Sequence, residues 1–183
     1  MKHLKLMSIV LSAFFISCND DDVKAVNEEE VITTVVVTLT GGGEVITLTS
    51  RDLDGDGPGL PVVTPSGPLT ANTTYTGSVG FFNELESPVD NITLEVEEEG
   101  TEHQVFYQAL PASLGTFTYA DTDANGKPIG LLFELITADA QSGQLVVTLR
   151  HDLNKSGSGV ATGDITNAGG STDAQVTYPI VIE

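Results

Sequence analysis

Apolar and polar residues alternate along most of the chain from residue 31 onward, and the alternating runs are rich in valine, isoleucine and threonine. A period of two is typical of β-strands that bury one face, and β-branched residues favour strands. Two such runs, 31–40 and 44–50, are joined by three glycines, which predicts a β-hairpin. The same pattern predicts further strands at 74–82, 103–110, 115–123, 129–138, 143–152 and 174–183.

The connecting segments carry residues that favour turns and loops. Four prolines predict a loop over 51–73, and the glycine- and serine-rich segment 154–173 predicts a flexible loop. The last strand reaches the final residue, so we expect it to be paired. With eight or nine short strands and no long helix, the sequence predicts an all-β protein. Its expected architecture is an antiparallel β-sandwich, Ig-like or jelly-roll-like, formed as a single domain by residues 31–183.

Segment 87–102 fits two descriptions. Pro88 followed by Asp90 could begin and cap a short helix. The apolar residues at 92, 94 and 96, however, alternate with polar residues, as they would in a strand. We therefore favour a strand or irregular structure for this segment.

The first residues have the features of a secretion signal. Lys2 and Lys5 precede an apolar run at 6–16, which is too short to cross a bilayer as a stable helix. Cys18, the sole cysteine, lies where removal of the signal would make it the new N-terminus, and its setting resembles a bacterial lipobox. The sequence therefore predicts a signal peptide at 1–17 and lipidation of Cys18. In the alternative interpretation, Cys18 is the last residue of an ordinary secretory signal.

Residues 18–30 are predicted to form a disordered, acidic tether that follows the lipidated cysteine. Asn19 and the three aspartates after it resemble the surface-export signal of Bacteroidetes lipoproteins. We expect a lipid-anchored protein of the outer membrane, exposed at the cell surface. Alternatively, it faces the periplasm and the acids are only a solvated spacer. The expected partners are the membrane, through the anchor, and an outer-membrane protein or extracellular ligand.

The charge of the chain narrows the classes of partner. The formal net charge is −19, and it becomes −21 once the two lysines of the signal are removed. A domain this acidic is repelled by nucleic acids and anionic lipid surfaces, and it attracts cations. The absence of tryptophan and the small number of aromatic residues count mildly against a carbohydrate-binding face. No nucleic-acid partner is expected.

Four stretches, at 95–108, 119–131, 145–155 and 163–180, resemble a family of small flavobacterial lipoproteins. The resemblance covers nearly the whole chain after the signal. Members are often labelled "type 1 periplasmic binding fold superfamily protein", a label that implies alternating strands and helices. The pattern of this sequence contradicts that α/β fold. The resemblance implies an envelope location and no established activity.

Three loops place oxygen-bearing side chains at alternate positions before a glycine, which is a pattern typical of calcium loops. None has the glutamate at the twelfth position that completes an EF-hand, and the second loop also fits a plain hairpin turn. Calcium is therefore a candidate cofactor, and its role could be only to order loops. The candidate ligands are Asp52, Asp54 and Asp56 in the first loop, Asp121, Asp123 and Asn125 in the second, and Asp152, Asn154 and Ser156 in the third.

The two histidines that remain after signal removal suggest a second chemistry. His103 and His151 each lie at the edge of a predicted strand, and Glu102 and Asp152 are their acidic neighbours. Imidazoles and carboxylates together can bind a transition metal, and two histidines can ligate a haem. The simpler interpretation is that the histidines are separate surface residues.

Motifs for catalysis are lacking in the sequence. There is no nucleophile elbow, the glycine-rich segment 155–163 lacks the spacing of a phosphate loop, and the acidic run 95–102 is typical of a solvated face. We therefore expect a non-enzymatic binding or accessory module with calcium-ordered loops. The alternative is a lipoprotein that scavenges a transition metal or haem through His103 and His151.

Overall fold

The computed structural model describes residues 30–54 and 59–183, and within them the chain forms nine β-strands and one short α-helix. Three single turns of 3-10 helix, Ala112–Leu114, Val160–Thr162 and Ile165–Asn167, lie in the connections. The strands are β1 Thr34–Gly41, β2 Glu44–Arg51, β3 Val62–Pro65, β4 Thr74–Phe82, β5 His103–Leu110, β6 Gly115–Tyr119, β7 Leu132–Thr137, β8 Gln141–His151 and β9 Ser171–Ile182, and the helix is α1 Thr93–Glu98.

The strands form two antiparallel sheets. The larger has six strands in the order β3-β2-β1-β4-β7-β6, and the smaller has three in the order β5-β8-β9. The predicted all-β, antiparallel sandwich of about nine strands is therefore confirmed, and the α/β fold implied by the family label is not found. The last strand is paired, as expected, along β8, and Leu69 also bridges to its end at Ile182.

The predicted hairpin between β1 and β2 follows from two glycines. Gly41 pairs with Glu44, so Gly42 and Gly43 form a two-residue loop, and their φ angles are +60° and +84°. Positive φ at both central positions is the requirement of a type I′ turn, whose twist matches that of the flanking strands. Glycine meets this requirement without steric cost.

The core lies between the sheets and consists of alternate residues from their facing sides. On β1, for example, Val35, Val37 and Leu39 are buried, as the period of two predicts. Tyr178 crosses from the small sheet and donates a hydrogen bond of 2.9 Å to the carbonyl oxygen of Val35. β5 differs because its residues 103–107 are buried on both faces of the sheet.

The preference for a strand or irregular structure in segment 87–102 is partly wrong, because residues 93–98 are helical. Ile92 and Val96 are the buried apolar residues, and they are four apart, whereas Leu94 is 63% exposed. A spacing of four matches one face of a helix, so the apparent alternation was created by an exposed leucine. The side chain of Thr93 holds the helix to β4 by accepting from the backbone N–H of Phe81.

Two loop predictions also need correction. Strand β3 lies within the segment expected to be a loop, at the edge of the large sheet, where Pro65 is tolerated because no further strand pairs there. The segment expected to be flexible covers the outer face of the small sheet. It buries Val160 and Ala168 completely against Phe106, so it is a packed part of the structure.

Candidate metal centre

The two histidines that the sequence could not place together are direct neighbours. The antiparallel register of β5 and β8 sets His103 opposite His151, and the two rings stack with centroids 4.4 Å apart and planes 21° apart. His103 is completely buried and His151 is 8% exposed. Because β5 is covered on both faces, a histidine at its first residue becomes an interior group rather than a surface group.

The two nitrogens of His103 have different surroundings. Nδ1 lies 3.3 Å from the carbonyl oxygen of Glu99, which can only accept, so Nδ1 carries the proton of this contact. Nε2 points toward two carboxylates and lies 3.3 Å from Glu30 Oε1 and 3.7 Å from Asp173 Oδ2. A metal-binding histidine commonly donates its second N–H to a carbonyl in this way, which fixes the ring and directs the other nitrogen at the ion.

Four buried polar atoms around this ring have no hydrogen-bond partner among the described residues. They are Nε2 of His103, Oε2 of Glu30, Oε2 of Glu99 and Oδ2 of Asp173. The side chains of Glu30 and Asp173 are each only 6% exposed. Buried carboxylates and imidazoles are normally paired because leaving them unsatisfied costs several kcal/mol. These atoms are therefore satisfied either by ion pairing with a protonated His103 or by a bound cation, which makes the cluster a candidate cation site.

The electrostatics of the cluster favour a positive charge at this position. Burial raises the pKa of Asp173, and the charge of Glu30 raises it further. Burial by itself would lower the pKa of His103, but Glu30, the carbonyl of Glu99 and Asp173 outweigh burial and hold that pKa above its ordinary value. A proton on the His103 ring or a bound cation would supply that positive charge and relieve the repulsion between the carboxylates.

The distances suit a small divalent ion. A tetrahedral ion with bonds of about 2.0–2.1 Å holds its ligand atoms about 3.4 Å apart. The separations of 3.3 and 3.7 Å from His103 Nε2 to Glu30 and Asp173 are close to this value. These three residues offer ligand atoms that all lie within 4.8 Å of one another, as do Glu99, His103 and His151.

A β-bulge directs Asp173 toward the site. Leu149 pairs with Ala174 and Arg150 pairs with Thr172, so Asp173 is the extra residue of β9. Bulges commonly re-aim a side chain beside a functional site. The guanidinium of Arg150 fixes the chain that leads into the bulge, because it donates to the carbonyl oxygen of Gly170 at 2.6 Å and to Thr172 Oγ1 at 2.5 Å.

The predicted residue Glu102 lies at the rim of the cluster. Its Oε2 is 3.7 Å from His151 Nε2, and its side chain is 54% exposed. Glu30, Glu99 and Asp173 were missed by the sequence analysis. Glu30 was assigned to the disordered tether, although its side chain is buried, and Asp173 was assigned to a flexible loop, so no local signal identified either residue.

Haem ligation by His103 and His151 stays a prediction, and it would require the two rings to separate. The porphyrin ring would have to lie between two imidazoles that contact each other face to face and are both buried.

The second predicted calcium loop uses its carboxylates internally. Asp121 accepts from the backbone N–H groups of Gly130 and Leu132 at 2.7 and 2.9 Å. Asp123 accepts from the backbone N–H of Asn125 and forms an ion pair of 2.8 Å with Lys155. Burial raises the pKa of Asp123, but the hydrogen bonds from Lys155 and the backbone outweigh burial and keep it below its ordinary value. The Lys155 ammonium and the backbone N–H groups therefore already bind the Asp123 carboxylate, and calcium at this loop stays a prediction.

The other two loops are also held by local hydrogen bonds. In the first, Asp54 accepts from the backbone N–H of Gly59 at 2.9 Å and Asp52 accepts from that of Asp54 at 3.3 Å. Asp56 lies outside the described residues. In the third, Asn154 Oδ1 accepts from the backbone N–H of Ser156 at 3.2 Å. Calcium at the first loop stays a prediction.

Cys18 and the tether before Glu30 lie outside the described residues, so lipidation also stays a prediction. Within the described part of the chain, no helix is long and apolar enough to cross a membrane. No protein-family model, curated protein or solved structure matches the chain.

Proposed function

We propose that this chain is a non-enzymatic, lipid-anchored protein of the bacterial outer membrane that binds a divalent transition-metal ion through His103. The observation that carries the proposal is the convergence of one buried imidazole nitrogen, Nε2 of His103, with the buried carboxylates of Glu30 and Asp173, whose oxygen atoms lie 3.3 and 3.7 Å from it. The two carboxylates balance the two positive charges of such an ion.

The kinds of ligand atom narrow the class of metal. A ring nitrogen combined with carboxylate oxygens suits zinc and related divalent ions of the first transition series, whereas calcium prefers oxygen ligands alone. The order of affinities at such sites places copper and zinc above manganese and iron. We therefore infer a site for zinc or a neighbouring transition metal.

Support for the anchored location comes from the sequence. The cysteine at position 18 follows a short apolar signal and precedes an acidic run. The high net negative charge favours cations as ligands and opposes nucleic acids. The proposed partners are the membrane, through the lipid anchor, and an outer-membrane protein or extracellular ligand that exchanges the metal. Cell-surface exposure is favoured over the periplasmic face by the acidic run.

Metal titration of the purified, metal-stripped protein tests the proposal. We expect one equivalent of Zn²⁺ to bind tightly, and Co²⁺ to give a visible spectrum of a mixed nitrogen and oxygen site. An ion that binds only the folded state adds about 2.7 kcal/mol of stability at a hundred times its dissociation constant. Both signals should be lost in His103→Gln and strongly weakened in Asp173→Asn, which preserves the size of the side chain.

Glu97→Gln is the matched control, because Glu97 is an exposed acid on α1 outside the cluster. It should bind as the wild type does. Absence of binding by the wild-type protein, or binding that persists unchanged in folded Asp173→Asn and His103→Gln proteins, would overturn the proposal. The cluster would then be an ion pair of a protonated His103.

A further inference from the structure

A shallow bowl on the protein surface opens beside the buried cluster. Its volume is about 520 Å³, and it is formed between the start of the described chain, the segment after β4 and helix α1. None of the residues that line it is basic. The carboxylates that line it belong to Glu30, Glu86, Asp90 and Glu95.

Glu30 belongs both to this bowl and to the cluster around His103. Its side chain is only 6% exposed, Oε1 lies 3.3 Å from His103 Nε2, and Oε2 is buried without a hydrogen-bond partner among the described residues. Glu30, Glu95 and Glu99 offer oxygen atoms that all lie within 4.8 Å of one another. We call these three residues the outer carboxylate group.

The outer carboxylate group contains a second buried oxygen atom that has no hydrogen-bond partner among the described residues. Oε2 of Glu99 is also buried and unpaired within the described residues. Glu95 is an exposed residue at the bowl, so an ion arriving from solvent meets it before it meets His103.

We propose that the outer carboxylate group is a transient entry site, not filled in the final complex, which takes a hydrated divalent cation from solvent and passes it to His103 through the shared ligand Glu30. The inference rests on the proposed function, because it requires the inner site to bind a metal. The outer group supplies oxygen atoms only, so it holds a transition metal less strongly than a site with imidazole. The ion therefore moves inward, and the acidic bowl raises the rate at which cations arrive.

Because the outer group delivers the ion and the inner site holds it, loss of the outer group should change the rates of metal binding and leave the final complex unchanged. In Glu95→Gln, the rate constant for Co²⁺ association should fall several-fold, and the dissociation rate should fall with it, because the ion leaves by the same route. The equilibrium affinity, the stoichiometry and the Co²⁺ spectrum should stay as in the wild type, since His103, Glu30 and Asp173 are intact.

Stopped-flow mixing of metal-stripped protein with Co²⁺, at low and at high salt, measures these quantities. Glu97→Gln is the control because it removes the same charge from the same helix but lies outside the outer carboxylate group. Its association rate should remain close to that of the wild type. Glu95 is exposed, so its substitution should leave the fold intact.

The outcomes separate this inference from the proposed function. If the wild-type protein does not bind Co²⁺, both fall. If it binds Co²⁺ but Glu95→Gln and Glu97→Gln associate at the same rate, only the outer site is wrong. If Glu95→Gln loses affinity through faster dissociation, Glu95 is a ligand of the final complex, and the transfer role is also wrong.

Discussion

Lys155 is a buried cation that connects three parts of the chain, and its removal tests the fold around the candidate metal centre. Its side chain is 6% exposed, and Nζ lies 2.8 Å from Oδ2 of Asp123, whose side chain is 1% exposed. Nζ also donates to the carbonyl oxygens of Gly100 at 2.5 Å and His103 at 2.8 Å. The perturbation that we consider is Lys155→Met, which keeps most of the apolar stem.

The expected loss of stability follows from burial. A surface ion pair contributes about 0–1 kcal/mol, whereas removing one partner of a buried pair costs about 3–5 kcal/mol, because the other charge stays buried without compensation. Asp123 and Lys155 are both buried, so the second value applies. Because single domains are stable by only about 5–15 kcal/mol, Lys155→Met should remove a large fraction of the free energy of unfolding.

Urea-induced unfolding followed by circular dichroism measures this loss. Lys127→Met, in the turn that contains Asp123, is the control, because Lys127 is partly exposed, and its effect should stay below about 1 kcal/mol. The double variant Lys155→Met with Asp123→Asn should recover part of the loss, since no buried charge then remains. A cost of Lys155→Met below about 1 kcal/mol would refute the reasoning. Because Lys155 also holds the carbonyl of His103, we expect weaker Zn²⁺ binding in this variant.

Four further predictions concern the other features. Asp123→Asn should be destabilising at neutral pH. The folded-state pKa of Asp123 lies below its ordinary value of 3.8, so the stability contributed by its ionised carboxylate is present above that value and is lost as the pH falls through the folded-state pKa. A stability difference from the wild type that persists unchanged to lower pH would contradict this. Gly170→Ala should lower the free energy of unfolding by more than about 2 kcal/mol, because a Cβ at this positive φ would collide with a backbone carbonyl. A Cβ at Gly169 meets open space, so Gly169→Ala should cost only about 1 kcal/mol. Equal urea midpoints of the two variants would contradict this difference. Cys18→Ser should abolish fatty-acid labelling and membrane attachment, and retained labelling would place the lipid elsewhere. If the first loop binds calcium, millimolar Ca²⁺ should raise the melting temperature relative to EDTA, and the rise should vanish in Asp54→Ala; an unchanged midpoint would make this loop an ordinary turn.

The strands could be predicted from sequence because each buries a single face and so shows a period of two. The hairpin at Gly42 and Gly43 was predictable for the same local reason, since the turn type requires residues that tolerate positive φ. Strand β3 was missed because it has only four residues and lies among prolines. Helix α1 was missed because Leu94 is exposed and imitates an alternating pattern.

The geometry of the candidate metal centre depends on information that a local sequence pattern does not contain. His103 and His151 were recognised as candidate ligands, but their contact is created by the register of β5 and β8. Asp173 is aimed at the site by a bulge that arises only when β9 pairs with β8. Glu30 precedes the first strand within an acidic run, where nothing distinguishes it from its solvated neighbours.

The position of Glu30 has a consequence for the folding of the chain. Glu30 lies before the first strand and Asp173 lies in the last, so an ion bound to both would close a loop that contains almost the entire sandwich. A permanent cross-link around a loop of about 100 residues stabilises a protein by about 4.7 kcal/mol in the chain-entropy model, and a metal clip acts in the same direction. This chain has a single cysteine and cannot form an internal disulfide. A fragment that begins at residue 31 would keep every strand and lose the closure.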